Sequence, residues 1–175
     1  MRLLKVKRRG KMTKRFLITL LLMFVFVLPA FAGGTMENLL IDLGGGVTID
    51  MVKIPAGTFQ MGDQLVPPIH TVTISKDFYM GKYEITQGQW KAIMNGATPS
   101  NFKVGDNYPV ENVSWNDICN AGGFLEKINK LKKGYSGFRL PTEAEWEYSC
   151  RAGNGTRFYW GDDPSNELRD GYAWY

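Results

Sequence analysis

One histidine (His70) and two cysteines (Cys119 and Cys150) are the chain's only imidazole and thiol ligands. That set cannot close a Cys/His zinc site within one chain without carboxylate help. HExxH, Walker A, GxSxG and EF-hand patterns are absent, so the motif-borne chemistry of zinc proteases, P-loop enzymes, α/β-hydrolases and EF-hands has no foothold. Residues 1–32 contain no acidic residue and eight basic ones. Outside that segment 13 basic residues face 17 acidic ones. The formal charge of +4 therefore belongs to the N-terminus and gives no argument for a nucleic-acid partner. No fixed-period repeat and no second domain are visible.

What is present reads as an exported globular chain. A basic stretch through Arg15 precedes the apolar run Phe16–Leu28, then Pro29 and the small-residue pattern Ala30-Phe31-Ala32. This is the layout of a secretory signal peptide over residues 1–32. The run has 13 residues, short of the ~20 that span a bilayer core, so no stable membrane span is expected after cleavage. No cysteine stands directly after the run to carry a lipid anchor. Residues 33–46 are expected to be a loosely structured linker ending in Gly44-Gly45-Gly46, and 47–175 the domain. Apolar residues make up 44% and aromatics 13%, enough for one real core. Export permits a disulfide, and whether Cys119 and Cys150 pair stays open.

Alternation of Val47, Ile49 and Met51 with Thr48 and Asp50 predicts a strand. Pro55-Ala56-Gly57 predicts a turn, Thr58–Met61 a short strand, and Val72, Ile74, Phe78 and Met80 one face of another. Three helices are expected next, each opened by a capping box that satisfies first-turn N–H groups. Their cap and third-position residues are Thr86 with Gln89, Ser114 with Asp117, and Thr142 with Glu145. The second helix is expected to run on through Gly122-Gly123, burying Ile118, Ala121, Leu125, Ile128 and Leu131. Short strands followed by helices indicate an α+β domain.

The ordered blocks "MVKIPAGTFQMGD", "FYMGKYEITQGQWKAIM", "PSNFK", "YPVENVSWNDICNAGGFLEKIN", "FRLPTEAEWEYSCRAG" and "FYWGDD" resemble the formylglycine-generating enzyme family, also called sulfatase-modifying factors. The resemblance runs from about Met51 to Trp160. It implies a C-type-lectin-like fold of the formylglycine-generating subtype, low in regular secondary structure. It also implies, for complete members, a copper-dependent oxidase that turns a sulfatase cysteine into formylglycine, with two thiolates holding Cu(I). The family blocks that carry those cysteines, similar to "GLYDMxGNVWEW" and "RGGSW", are not in this sequence, so the domain is expected to be truncated after its first half. Cys150 falls where some members make a disulfide to the later half. No catalytic, cofactor-binding or metal-ligating residue of the family maps onto this chain.

Other residues invite chemistry. Glu143 and Glu147 lie one helical turn apart, a spacing that suits a metal, but first-turn carboxylates also suit the helix dipole, and dipole is the expected role. Asp162, Asp163 and Asn166 carry hard oxygens suited to calcium, and a solvated acidic loop is the plainer expectation. Trp90, Trp115 and Trp146, each near a helix start, are expected to anchor the core, and His70 to lie exposed and alone. Asn112-Val113-Ser114 and Asn154-Gly155-Thr156 fit a glycosylation pattern. The sequence thus leads to an exported family protein whose complete form is a candidate oxidase acting on a sulfatase or other cysteine-containing polypeptide. A non-catalytic lectin-like binding module at the cell envelope is the alternative.

Overall fold

A computed structural model of the protein describes residues 25–26, 38–63, 66–131, 134–156, 158 and 160–162. In chain order the strands are β1 (Val25–Phe26), β2 (Asn38–Gly44), β3 (Val47–Ile54), β4 (Gly57–Asp63), β5 (Val66–Ile74), β6 (Phe78–Gly81) and β7 (Phe138–Arg139). The helices are α1 (Gln87–Ile93), α2 (Trp115–Cys119), α3 (Phe124–Asn129) and α4 (Glu143–Arg151). Five strands form one sheet in the order β2-β3-β6-β1-β7, and β4 and β5 form a separate antiparallel hairpin. Among the described residues no helix is long and apolar enough to cross a membrane. Of the expected signal segment only Val25–Phe26 are described, as β1 between β6 and β7; the rest lies outside the described residues.

Residues 38–44, expected to be linker, instead form a strand. Their alternation explains it: Leu39, Ile41 and Leu43 are buried while Asn38, Leu40 and Asp42 face solvent. β3 supplies the matching side, with Leu39 opposite Met51 and Ile41 opposite Ile49. Gly45 and Gly46 close the hairpin at φ of +61° and +80°, a backbone region that β-branched or bulky residues avoid.

The sheet lies between two cores, and β6 is buried on both faces. Its Tyr79 joins the larger cluster, with Met51, Ile85, Trp90, Phe124 and Ile128. Phe78 and Met80 join a smaller one with Ile74, packed by Val72, Ala144 and Tyr148. The second cluster ties the β4–β5 hairpin and α4 to the sheet. In the first, the Trp90 ring stacks on Phe124 at 4.9 Å, locking α1 to α3.

All three capping boxes form with the expected partners: Thr86 with Gln89, Ser114 with Asp117, and Thr142 with Glu145. The second helix does not run on. It stops at Cys119, Asn120 turns extended, Gly122 takes φ of +77°, and α3 restarts from Gly123. The break turns Ala121 out to solvent, whereas Ile118, Phe124 and Ile128 stay in the core.

Candidate functional site

The helix that opens at Thr142 is a structural clamp. Glu147 Oε1 accepts from the Gly62 N–H at 2.8 Å and from Arg151 Nη2 at 2.6 Å. Arg151 Nη2 in turn donates to the Gly62 carbonyl at 2.8 Å, and its Nη1 to that of Thr156 at 3.0 Å. Glu147 and Arg151 thus tie α4 to the β4–β5 hairpin, a role the dipole argument missed because its partner is 85 residues away. Glu143 is exposed and takes no part.

Glu145 returns to the Thr142 N–H at 2.8 Å and meets both terminal nitrogens of Arg139, at 2.7 and 2.5 Å. Burial works to raise its carboxyl, but the hydrogen bonds from Arg139 and Thr142 together outweigh it and hold the group below its ordinary 4.5. The charged form is therefore the stabilising one. Its contribution is complete above 4.5 and is lost as pH falls through the lowered folded-state value. Glu145→Gln is expected to cost about 1 kcal/mol near neutral pH, mostly through loss of the charged pair with Arg139, since glutamine keeps the cap as Gln89 does at Thr86. The cost should shrink toward pH 3, and thermal unfolding of both proteins at the two pH values checks it. An equal difference at both would refute the assignment.

The two thiols are unpaired, Cys119 half-buried and Cys150 exposed. Burial pushes both up; at Cys150 the Arg151 guanidinium opposes that rise and the Glu147 carboxylate adds to it. Among the described residues no three His, Cys, Asp or Glu side chains gather in a way that could hold a metal ion. Raised, separately placed thiols are a poor donor set for Cu(I), which needs converging thiolates. The described residues do not fit a copper site. Of the proposed calcium oxygens only Asp162 is described, exposed in its loop; Asp163 and Asn166 lie outside the described residues.

His70 is exposed on β5, its Nδ1 donating to the Pro68 carbonyl at 2.9 Å. Trp90 is in the core at 2% exposure, and Trp146 is partly buried, its indole N–H shut from solvent with no acceptor. Trp115 corrects the expectation: it is 61% exposed.

Trp115 follows the feature with the strongest functional signal, a loop over residues 99–112. The loop is pinned at its base: Asn112 Nδ2 donates to the Pro99 carbonyl at 3.0 Å, and the Glu111 N–H to Ser100 Oγ at 3.2 Å. Buried Gln87 reaches into it, donating to the Phe102 carbonyl at 2.8 Å and the Pro109 carbonyl at 3.3 Å. The loop repays α1 by capping it. Carbonyls of Tyr108 and Asp106 accept from the Gln87 and Gly88 N–H groups, at 2.8 and 2.9 Å, donors a helix start leaves free. Gly88 permits the approach, because a Cβ there would lie 3.1 Å from the Asp106 oxygen. Lys91 Nζ closes on Asp106 at 2.6 Å. Beside it opens a cleft of about 800 Å³, lined by the Gly44–Gly46 turn, Lys91, Asp106 and Asn107.

A loop held this firmly still leaves Phe102 (71%), Val104 and Tyr108 in solvent. Compact loops with joined ends are frequent carriers of function, and rigid exposed aromatics are typical interface anchors. Periodicity could not have found this surface, because loop residues carry none.

Comparisons with known proteins place the chain. The family described as the sulfatase-modifying factor enzyme 1-like domain matches residues 46–174. "Chaperone protein LppX" of Paenibacillus barcinonensis is 35% identical over 157 residues, covering 74% of this chain and 54% of that protein. The "Formylglycine-generating enzyme" of Streptomyces coelicolor is 45% identical over 69 residues, covering 39% of this chain and 17% of the enzyme. Among solved structures, "Treponema denticola variable protein 1" superposes with a TM-score of 0.61 at 28% identity, over 79% of this chain and 64% of that one. The chain spans about half, or less, of the length of these curated relatives. Its α+β fold, with short strands and helices, is the C-type-lectin-like fold of the formylglycine-generating subtype. The chain belongs to the sulfatase-modifying factor, or formylglycine-generating enzyme, family.

Proposed function

We propose that this chain is the polypeptide-recognising part of an exported sulfatase-modifying-factor-family protein and acts by binding rather than by metal chemistry of its own. The observation that carries the reading is the pinned loop 99–112, whose aromatic side chains stay exposed although its backbone is fixed. The name of the Paenibacillus relative, a chaperone, is in keeping with it. Residues 1–32 are the export signal in this reading, its cleavage taking β1 out of the sheet, the working domain runs from β2 at Asn38 to residue 175, and the periplasm, cell envelope or exterior is the compartment. The partner is a sulfatase or another cysteine-containing polypeptide.

A second reading, that the complete protein is a copper-dependent oxidase making formylglycine, is favoured by the 45% identity to the Streptomyces enzyme. The thiolate ligands are then supplied by residues other than those described here, and this chain contributes the recognition surface. One experiment separates the readings. A fluorescein-labelled peptide around the modified cysteine of a sulfatase is titrated with purified chain, with and without copper and oxygen. Binding is expected to weaken about tenfold or more in the triple variant Phe102→Ser, Tyr108→Ser, Trp115→Ser, as loss of aromatic anchors does, with the melting temperature unchanged. No aldehyde should form on the peptide. Binding indifferent to the three substitutions defeats the first reading, and a hydrazide-reactive product from this chain alone establishes catalysis within it.

A further inference from the structure

We propose that removal of residues 1–32 opens a strand-wide slot between β6 and β7, and that this slot takes an extended apolar strand of a partner polypeptide. The slot is vacated only by cleavage, so the inference rests on the export reading above; it is separate from loop 99–112. In the uncleaved chain β1 fills it, antiparallel to both neighbours: Val25 lies opposite Met80 and Arg139, and Phe26 opposite Tyr79 and Phe138. Both walls are held without β1. β6 pairs with β3 along its other edge, from Phe78 opposite Ile54 to Gly81 opposite Met51. β7 is fastened to α3, where the Asn129 amide donates to the Phe138 carbonyl at 2.9 Å and accepts from the Gly137 and Phe138 N–H groups at 2.8 and 2.9 Å.

The strand seated there defines the one expected to replace it. Successive residues of an antiparallel ladder turn their N–H and carbonyl to opposite sides. Phe138 gives both to Asn129, so those of Arg139 face the slot and lose their strand partner when β1 leaves. Residues opposite each other share a face of the sheet. A residue in the place of Phe26 is therefore level with Tyr79 and Phe138 of the larger core, and one in the place of Val25 with Met80 of the smaller. The next residue would stand level with Phe78, where a cleft of about 350 Å³, lined by Val72, Ile74, Phe78 and Arg139, leaves room for a larger side chain. Core on both faces selects apolar residues, and the ladder on both edges rejects proline. Backbone pairing with alternate side chains in apolar sites is how a sheet recognises an added strand.

The exported protein tests this, with a lysine-flanked peptide of residues 23–28 (MFVFVL) as the probe. Intact mass first shows whether residues 1–32 are gone. Hydrogen–deuterium exchange of the β6 and β7 amides should then be about tenfold or more faster than in the uncleavable variant Ala30→Leu, Ala32→Leu in the same mild detergent. The peptide should slow it again. N-methylation of the peptide at the Val25 or Phe26 position removes one ladder donor and should weaken binding about tenfold, whereas adhesion through apolar surface would not notice it. A mass that retains residues 1–32 sinks the export reading and this inference together. In a cleaved protein, three results sink the inference alone: β6 and β7 amides already protected, by a second copy or another part of the chain; no binding; or binding indifferent to N-methylation.

Discussion

Trp90→Ala is expected to destabilise the fold by about 3–5 kcal/mol, the range for emptying a large aromatic from a packed core. Trp90 is 2% exposed and its ring lies nearly parallel to that of Phe124, itself fully buried. The stack joins α1 to α3 inside the cluster that also holds Met51, Ile85 and Ile128. Alanine leaves a ring-sized hole lined by elements whose backbones are fixed at both ends, so little collapse can refill it. The consequence reaches the candidate site, because α1 presents Gln87 to the Phe102 and Pro109 carbonyls and takes its own cap from Tyr108 and Asp106. The variant should therefore also open loop 99–112 to proteolysis before global unfolding. Trp90→Phe keeps a ring against Phe124 and should cost clearly less. Urea unfolding followed by circular dichroism measures both; a loss below ~1 kcal/mol for Trp90→Ala would mean that α1 is held chiefly by polar contacts.

The contrast between helix starts and loops explains what could be read from the residues in order. A capping box is a four-residue device, and Thr86, Ser114 and Thr142 each found the expected partner three positions on. Strand alternation was local as well, and Val72, Ile74, Phe78 and Met80 do share a core. Asn129 shows where local reading stops. Its amide donates to the Leu125 and Phe138 carbonyls and accepts from the Gly137 and Phe138 N–H groups, fastening β7 to α3. Nothing in its neighbours' pattern announces that. Trp115 was misplaced because a helix start says where a side chain begins, whereas its burial depends on which elements pack over that turn. The loop with the exposed aromatics was illegible for a related reason: its contacts with α1 run largely through backbone carbonyls, and carbonyls are common to every residue.

Gly122 and Gly123 give the sharpest test of how α2 and α3 are joined. Were they interior positions of one continuous helix, alanine at either should stabilise by about 1 kcal/mol through helix propensity. The broken arrangement reverses both signs, for different reasons. Gly122 has open space around it but holds φ of +77°, so alanine there costs about 1–2 kcal/mol in backbone strain. Gly123 has an ordinary φ of −74°, yet a Cβ would lie 2.8 Å from the Asn120 oxygen and 2.9 Å from those of Asp117 and Ile118. These are carbonyls at the end of α2, not flexible side-chain tips, and Gly123 N–H donates to the Asn120 oxygen at 2.8 Å. Relief requires α2 and α3 to separate, which also disturbs Phe124 and the stack on Trp90. Gly123→Ala is therefore expected to cost about 2–3 kcal/mol, the upper part of the overpacking range, and to exceed Gly122→Ala. Paired urea denaturation curves decide it: two stabilised variants would restore the continuous helix, and two destabilised ones, with Gly123→Ala the worse, require the close-packed break.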